Sequence, residues 1–361
     1  MLAYSIRRVL LMIPTLIGVT AVVFFIMAWS PGGIGGSEAV AGGEMEGRSQ
    51  LAQQQYLNER YGLDAPLVVQ YGRWLNRVSP VGFASGSGGK VQWDQPRLLK
   101  WPDLGESLAK RRPVIDLYAE ALPVTLLLNV LTSPVTFVLS VWAGIVMARR
   151  RGGAADVGLG SAFLGLWSLP QIWVGVLLLG YLASSEYLKW FPTGGLSSTR
   201  ADEWAFLPSF GEGGAWNRGW LMDRAWHLVL PVLCLAYADF AFLSKLMRSS
   251  VLENYTADFV RTARAKGLRE KVVLYQHVLR NSLLPLITVS AGVIPALIGG
   301  SVIIESIFSI PGMGKLTIDG IFARDRELVL AGALVSGVLG LFFILVADLA
   351  YAVADPRVSY D

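Results

Sequence analysis

The stretch "RTARAKGLREKVVLYQH", Arg261 to His277, decides how the chain is read, because it interrupts a series of long apolar runs with a compact basic segment. Just before and within it, Phe259, Val260, Ala263 and Gly267 recur at helical spacing on one face, while Asp258, Arg261 and Arg264 project from the other. Gly267 stands where a glycine ends a helix. The pattern predicts a two-faced helix of about three turns. A second helical pattern resumes near Arg269 and leads into the next apolar run at Asn281. Held between two long helices, such a segment has the geometry of a lever. Two readings stay open for it: an amphipathic helix lying on anionic lipid, or a helix whose Ala and Gly face docks closely into a protein groove.

The surroundings are a membrane. Of 361 residues 53% are hydrophobic and only 16% charged, and the apolar runs exceed what core helices of a soluble domain require. At 1.5 Å per residue, about 20 apolar residues cross the hydrocarbon. Six stretches qualify: Val9 to Trp29, Leu122 to Ala148, Gly158 to Ala183, Trp226 to Met247, Leu283 to Ile304, and Leu328 to Ala352. The expected fold is an all-α polytopic membrane protein with six transmembrane helices. The first run follows Arg7 and Arg8 as a signal peptide would, but it is too long and no small-residue cleavage site follows, so it reads as an uncleaved first span.

Basic residues set the orientation. With the N-terminus in the cytoplasm, the inner side holds Arg7, Arg8, Arg149, Arg150, Arg151, Lys245, Arg248, the quoted basic stretch and Arg357. That makes about 14 basic against 6 acidic residues inside, and 17 against 19 in much longer outer loops. The positive-inside rule therefore places both termini, and the quoted segment, in the cytoplasm. Residues 1–29 form the first span with its cytoplasmic N-terminus, and 30–121 a large extracytoplasmic loop. Residues 122–352 form a five-helix core with the basic helices near 255–280, and 353–361 a cytoplasmic tail. In the large loop "GFASGSGGK" reads as flexible linker and "QQQYLNERYGL" as helix. A second outer loop, Ser184 to Ala225, is rich in Gly, Trp and Ser and fits either a partner surface or ordered covering of the bundle.

Chemistry-bearing residues are few. Cys234 is the single cysteine, lies in an apolar run and behaves as a small hydrophobe. His227 and His277 have no companion at metal-ligand spacing, so no metal site is assigned, and no catalytic residue either. Asn129, Thr132, Ser133 and Thr136 give the second span a polar stripe, and Gln171 follows Pro170 in the third. Such groups line a path for polar solutes or bond to their own helices. Asp239, at the centre of a span, costs about 2.5 to 3.5 kcal/mol on insertion scales and should face water, a cationic partner or a proton path. Pro123, Pro134, Pro170, Pro231, Pro285 and Pro295 are candidate bends.

The stretch "FVRTARAKGL" resembles the cytoplasmic coupling motif of ATP-binding-cassette (ABC) importer permeases of the oligopeptide, dipeptide and nickel branch. The general motif is Glu-Ala-Ala, three residues, then Gly. Its positions fall on Arg261, Thr262, Ala263 and Gly267, so two of the leading residues differ. "YSIRRVLLMIPTLIGVTAVVFFIMAWSPGG" resembles the first span of that branch; "YGLDAPLVVQYGRWL" and "DLGESLAKRRPVIDLYAEALPVTLLL" resemble its outer loop and second span. "IESIFSIPGMGKLTIDGIFARDREL" and "YAVADPRVSY" are similar to its last outer loop and tail. Ser79 to Trp101 and the long loop before Trp226 depart from the pattern.

The resemblance implies a type I importer permease, a half-pore in the cytoplasmic (inner) membrane of a bacterium or archaeon. It implies pairing with a second homologous permease, two cytoplasmic ABC ATPases and an extracytoplasmic solute-binding protein. The coupling residues would be Phe259, Val260, Arg261, Thr262, Ala263, Arg264, Ala265, Lys266 and Gly267, with Asn129, Thr132, Thr136, Gln171 and Asp239 along the solute route. The chain would bind no cofactor, ATP and Mg residing on the ATPases, and would contact lipid but no nucleic acid. Peptides are the expected solute, with nickel complexes, oligosaccharides or an ion-coupled secondary transporter as alternatives. "PGMGKLT", Pro311 to Thr317, is not a phosphate loop, since Ser309 stands at its first required Gly and Leu316 follows the Lys. Gly267→Asp is expected to lower solute uptake while membrane insertion persists; unchanged uptake would count against docking there.

Overall fold

The computed structural model describes residues 2–30, 65–85, 91–97, 99–210, 216–298 and 301–354. The helices are α1 (Leu2–Trp29), α2 (Leu67–Val78), α3 (Val114–Arg149), α4 (Ala154–Ser168) and α5 (Gln171–Leu178, continued by a π-turn Leu179–Ala183). There follow α6 (Gly219–Tyr255), α7 (Asp258–Ala265), α8 (Glu270–Val272, continued by a π-turn Val273–Val278), α9 (Leu279–Ile298), α10 (Val302–Ile307), α11 (Met313–Phe322) and α12 (Arg326–Ala354). Two small antiparallel hairpins join β1 (Gly82–Ser85) to β2 (Val91–Arg97) and β3 (Ser209–Phe210) to β4 (Trp216–Asn217).

Among the described residues α1, α3, α6 and α12 are each long and apolar enough to cross a bilayer alone. The third expected span is different: α4 and the α5 segment form one apolar pair bent by 97°. Proline chemistry explains the break, because Pro170 lacks an N–H and forces Leu169 out of the helical region, to φ −79° and ψ 128°. Pro123, Pro134 and Pro231 instead sit inside continuous helices. The fifth expected span, Leu283 to Ile304, is not one helix: α9 is described as far as Ile298, and within the same apolar run α10 starts afresh where the Ser301 hydroxyl accepts the N–H of Ile304 at 3.3 Å.

Part of the Gly/Ser tract read as linker is strand. Gly82–Ser85 pairs with β2, and the Asn76 side chain brackets Phe83, its oxygen accepting the Phe83 N–H at 2.9 Å and its Nδ2 donating to the Phe83 carbonyl at 3.1 Å. This side chain supplies the order that composition does not reveal. "QQQYLNERYGL" and residues 355–361 of the tail lie outside the described residues.

Contacts divide the chain into two units. The first comprises Met1–Leu122, Leu316–Leu341 and Tyr360–Asp361, the second Pro123–Lys315 and Phe342–Ser359. In the first, α2 lies along α1, with the Tyr71 hydroxyl donating to the Ile17 carbonyl at 2.8 Å and its ring centroid 5.4 Å from that of Phe24. The start of α12 carries a buried charge cluster. Asp325 accepts from the Ser107 hydroxyl at 2.6 Å, the Ala109 N–H at 3.1 Å and the Leu328 N–H at 3.2 Å, so it caps the helix while tying down a loop. Arg77 bonds Glu327 at 2.8 Å, and the Arg326 guanidinium lies 4.9 Å from the Phe24 ring.

In the second unit one apolar cluster joins Ile145 and Ala148 of α3, Met247 and Val251 of α6, Val273, Leu274 and Val278, and Leu286 of α9. A second collects Val124, Leu128, Leu230, Cys234, Ile304 and Phe308. A Cβ on Gly144 would fall 2.6 Å from the Met247 side chain, so the absent side chain is what allows α3 to approach α6 this closely. Parts of the loop before Trp226 are fastened to α6: the Trp226 indole N–H donates to the Trp190 carbonyl at 2.9 Å, and Asp223 accepts from both the N–H and the hydroxyl of Ser198.

The Arg77–Glu327 pair is 10% and 1% exposed, and Arg326 Nε lies 3.8 Å from the same Glu327 oxygen, so removing one partner unbalances a desolvated cluster of charges. Arg77→Met and Glu327→Gln should each lower the midpoint of thermal unfolding in detergent. The double variant should lose less than the sum by about 1 to 3 kcal/mol. Strictly additive losses would show that the two side chains stabilise the unit independently.

Candidate functional site

The basic helix is α7, two turns long rather than three. Asp258 sits in its first turn, where a carboxylate favours the helix dipole, and the Thr262 hydroxyl donates to the Asp258 carbonyl at 3.0 Å. Its end is set by backbone geometry. Gly267 has φ +75°, its N–H reaches the Arg264 carbonyl at 2.9 Å, and the Leu268 N–H reaches the Ala263 carbonyl at 3.3 Å. This paired closure needs a left-handed residue, and glycine adopts that conformation without penalty.

Burial divides α7 differently from the grouping by spacing. Val260 and Ala263 are buried in the cluster built on Met247, Val251, Val273, Leu274 and Val278. Phe259 is 38% exposed, and Arg261, Thr262, Arg264, Ala265, Lys266 and Gly267 are exposed as well. The i, i+3 pair turns inward; Phe259, one residue or about 100° away, turns outward. The small-residue face is therefore occupied by the protein's own bundle. Gly267 has no atom within 4 Å of where a Cβ would stand, so crowding is not what a substitution there meets.

Polar bonds fasten α7 to its neighbours. Arg264 donates to Glu270 at 2.7 Å and stands 5.7 Å from the Tyr255 ring. The Glu270 carboxylate holds the Arg264 guanidinium charged further above its usual range. At the end of α6, Asn254 Nδ2 donates to the Ser250 carbonyl at 2.9 Å and the Ser282 hydroxyl at 3.1 Å, and Ser282 donates to Ser250 at 3.2 Å. Arg248 grips Asp156 with two bonds, at 2.5 and 2.8 Å, linking α6 to α4. Of these five residues only Arg248 figures in the sequence reading, and there only as a basic residue counted for orientation. Asp156 precedes one apolar run and Arg248 follows the next, so they advertise only opposite charges, and 92 residues of separation hide the pairing.

The polar residues of the spans do not gather into one site. Asn129 donates to the Thr125 carbonyl and Gln171 to the Cys234 carbonyl, both at 2.9 Å. Thr132 and Thr136 are buried, with hydroxyls that have no partner among the described residues. Asp239 is half-buried. Sequence reading also passed over Glu305. Its carboxylate accepts from the Thr125 hydroxyl and the Lys315 N–H, each at 3.0 Å, while Thr125 Oγ1 accepts the Met313 N–H at 2.9 Å. The first N–H groups of α11, within "PGMGKLT", are thus engaged by side chains of the chain itself.

Residues 140–360 match the family described as binding-protein-dependent transport system inner membrane component, and residues 1–129 match the N-terminal family of the membrane component of such systems. The oligopeptide transport system permease protein AppB of Bacillus subtilis (strain 168) is 37% identical over 362 residues, covering 100% of both chains. The peptidoglycan transport system permease protein YejB of Agrobacterium fabrum is 30% identical over 378 residues, spanning 99% of this chain and 98% of that protein. A solved chain of the MetNI methionine ABC transporter, inward facing, aligns with TM-score 0.48 and 14% identity over 68% of this chain and 98% of its own.

The left-handed backbone at Gly267, in open space, yields a graded expectation. Gly267→Asn should keep folding and uptake near normal, because Asn enters this region readily. Gly267→Val should lower thermal stability by about 1 to 2 kcal/mol and reduce uptake. Equal loss in both variants would point to surface contact rather than backbone geometry.

Proposed function

The chain belongs to the family of binding-protein-dependent transport system inner membrane components, and from that premise we propose that it is one half of an ATP-driven pore importing peptides. Such a component is a multi-pass protein of the inner membrane that works with ATPase and solute-binding subunits. For this chain the reading assigns a second, related permease, two cytoplasmic ATPases and one extracytoplasmic binding protein. It also assigns six spans with both termini in the cytoplasm. Peptides are the assigned solute because AppB, 37% identical along its whole length, is named an oligopeptide permease.

One observation carries the mechanism: α7 is fixed to its own bundle along Val260 and Ala263, and presents Phe259, Arg261, Thr262, Ala265 and Lys266 to solvent. A rigidly mounted helix with one large aromatic on its free side is suited to being gripped. When the ATPases close, displacement of α7 passes through the buried cluster and the Asn254–Ser282 bonds into α6 and α9, which tilt and alternate the side to which the pathway opens. Asp239 borders that pathway, and Thr132 and Thr136 join it as the helices part. Asn129 and Gln171 hold helices to each other or to themselves. ATP and Mg remain on the partner subunits, a reading supported by the prior engagement of the α11 N–H groups with Glu305 and Thr125.

The test is uptake of a labelled peptide into proteoliposomes loaded with ATP, given the cognate binding protein. Uptake should stop without ATP. Phe259→Ala, which removes the aromatic anchor, should weaken retention of the ATPase about tenfold to a hundredfold and lower uptake in step, with unchanged membrane insertion. Uptake that follows a proton gradient and ignores ATP would assign the chain to ion-coupled transport instead.

A further inference from the structure

Beside α7 the second unit holds a cavity of about 430 Å3 that the coupling reading does not use, a volume typical of small-ligand sites. Its apolar lining comes from Ala148, Leu252 and Leu274, and Tyr255 and Thr256 stand beside them. Four cationic side chains, Arg149, Arg151, Arg264 and Lys271, share the lining with a single carboxylate, Glu270. That carboxylate already bonds Arg264 at 2.7 Å. Asp156, the acid acting on Arg151 from nearby, is taken by both donors of Arg248. The side chains of Arg149, Arg151 and Lys271 consequently have no hydrogen bond or ion pair among the described residues.

Three unneutralised cations around one concavity repel each other and attract an anion with several acceptor oxygens. Arginine forks match phosphate in particular. The apolar floor selects further. A free phosphate gains nothing from Ala148, Leu252 and Leu274, whereas a lipid headgroup brings a glycerol and the first methylenes of its chains. Tyr255, with an apolar ring and a polar tip, is of the kind enriched at headgroup level. Basic pockets between helix ends on the cytoplasmic side of a membrane are suited to such headgroups.

We infer that this cavity is a binding site for the phosphate-bearing headgroup of an anionic phospholipid of the cytoplasmic leaflet. The inference rests on the cytoplasmic placement of α7 proposed above. A lipid seated here touches Arg149 and Arg151 at the end of α3, Tyr255 at the end of α6, and Lys271 just before α9. It therefore braces the helices through which α7 acts.

The assembled transporter, with its ATPase, is placed in nanodiscs of phosphatidylcholine containing a minor share of phosphatidylglycerol, and retained lipids are counted by native mass spectrometry. The unmodified complex should keep phosphatidylglycerol preferentially. Arg151→Ala and Lys271→Ala should each lower that retention about fivefold. Arg150→Ala, which removes an adjacent cation that does not line the cavity, should leave it unchanged. Inorganic phosphate added at constant ionic strength should not displace the lipid. Equal loss with Arg150→Ala would reduce the effect to general surface charge, and displacement by inorganic phosphate alone would assign the site to a free anion. Loss of the ATPase instead of lipid from Arg151→Ala or Lys271→Ala would assign the cavity to that partner. Any of the three overturns the inference. ATPase recovery is read in the same sample, so its absence from the unmodified complex marks failure of the transport reading. Retained ATPase without lipid preference marks failure of the lipid site alone.

Discussion

Burial of Val260 and Ala263 is the constraint on which the architecture around α7 depends. An isolated helix of the length of α7, Asp258–Ala265, is unstable in water, because the first turn fixes several dihedrals for one hydrogen bond. Its helicity must come from tertiary contact. Sinking Val260 into the cluster of Met247, Val251, Leu274 and Val278 supplies on the order of 1.5 to 3 kcal/mol. The closure at Gly267 and the Arg264–Glu270 pair fix where the helix stops and how it is rotated. Its orientation is thereby that of α6 and α9, and force applied to its free face has no slack to take up.

Inside an apolar bundle a polar group without a partner is costly, and apart from hydroxyls such as those of Thr132 and Thr136 this rule locates the helix-to-helix fasteners. Asn254, Ser250 and Ser282 satisfy one another across the α6–α9 contact. Arg248 and Asp156 do so between α6 and α4. Glu305 faces donors from Thr125 and Lys315, and so binds the start of α11 to α3 and α10. Each removes a cost of desolvation that the surroundings could not otherwise offset. These bonds also fix the register of the helices more narrowly than apolar packing alone would.

Much of the fold was legible because hydrocarbon imposes length. The apolar runs beginning at Val9, Leu122, Trp226 and Leu328 each lie within an observed helix, extended at its ends by residues that polarity had excluded, as with Arg326 and Glu327. The kinked third span was half legible. Pro170 was visible, but whether a proline merely bends a helix or breaks it depends on neighbours, and Pro134 and Pro231 look the same in sequence while sitting in unbroken helices. The site was legible as a segment and not as a surface. Spacing grouped Phe259 with Val260, although only the depth of the bundle behind α7 decides which of two adjacent apolar residues turns inward. Pairings such as Ser107 with Asp325, 218 residues apart, leave no local trace at all.

The division of charge around α7 follows from the same physics. A count of Lys and Arg treats all basic residues alike, yet the structure separates them by partner. Arg248 and Arg264 are neutralised by Asp156 and Glu270, and their work is mechanical, holding α6 to α4 and α7 to α8. Paired charges cancel at a distance and contribute little field beyond the screening length of about 8 to 10 Å. In the lipid reading the field facing an anionic leaflet comes from side chains without carboxylate partners, and among the described residues Arg149, Arg151 and Lys271 gather around the cavity. Cations left unpaired there are costly to folding by mutual repulsion and useful only against an external anion. Helix-to-helix attachment and the unpaired positive charge thus fall to different basic residues, of which Arg264 and Lys271 stand in the same short segment of the chain.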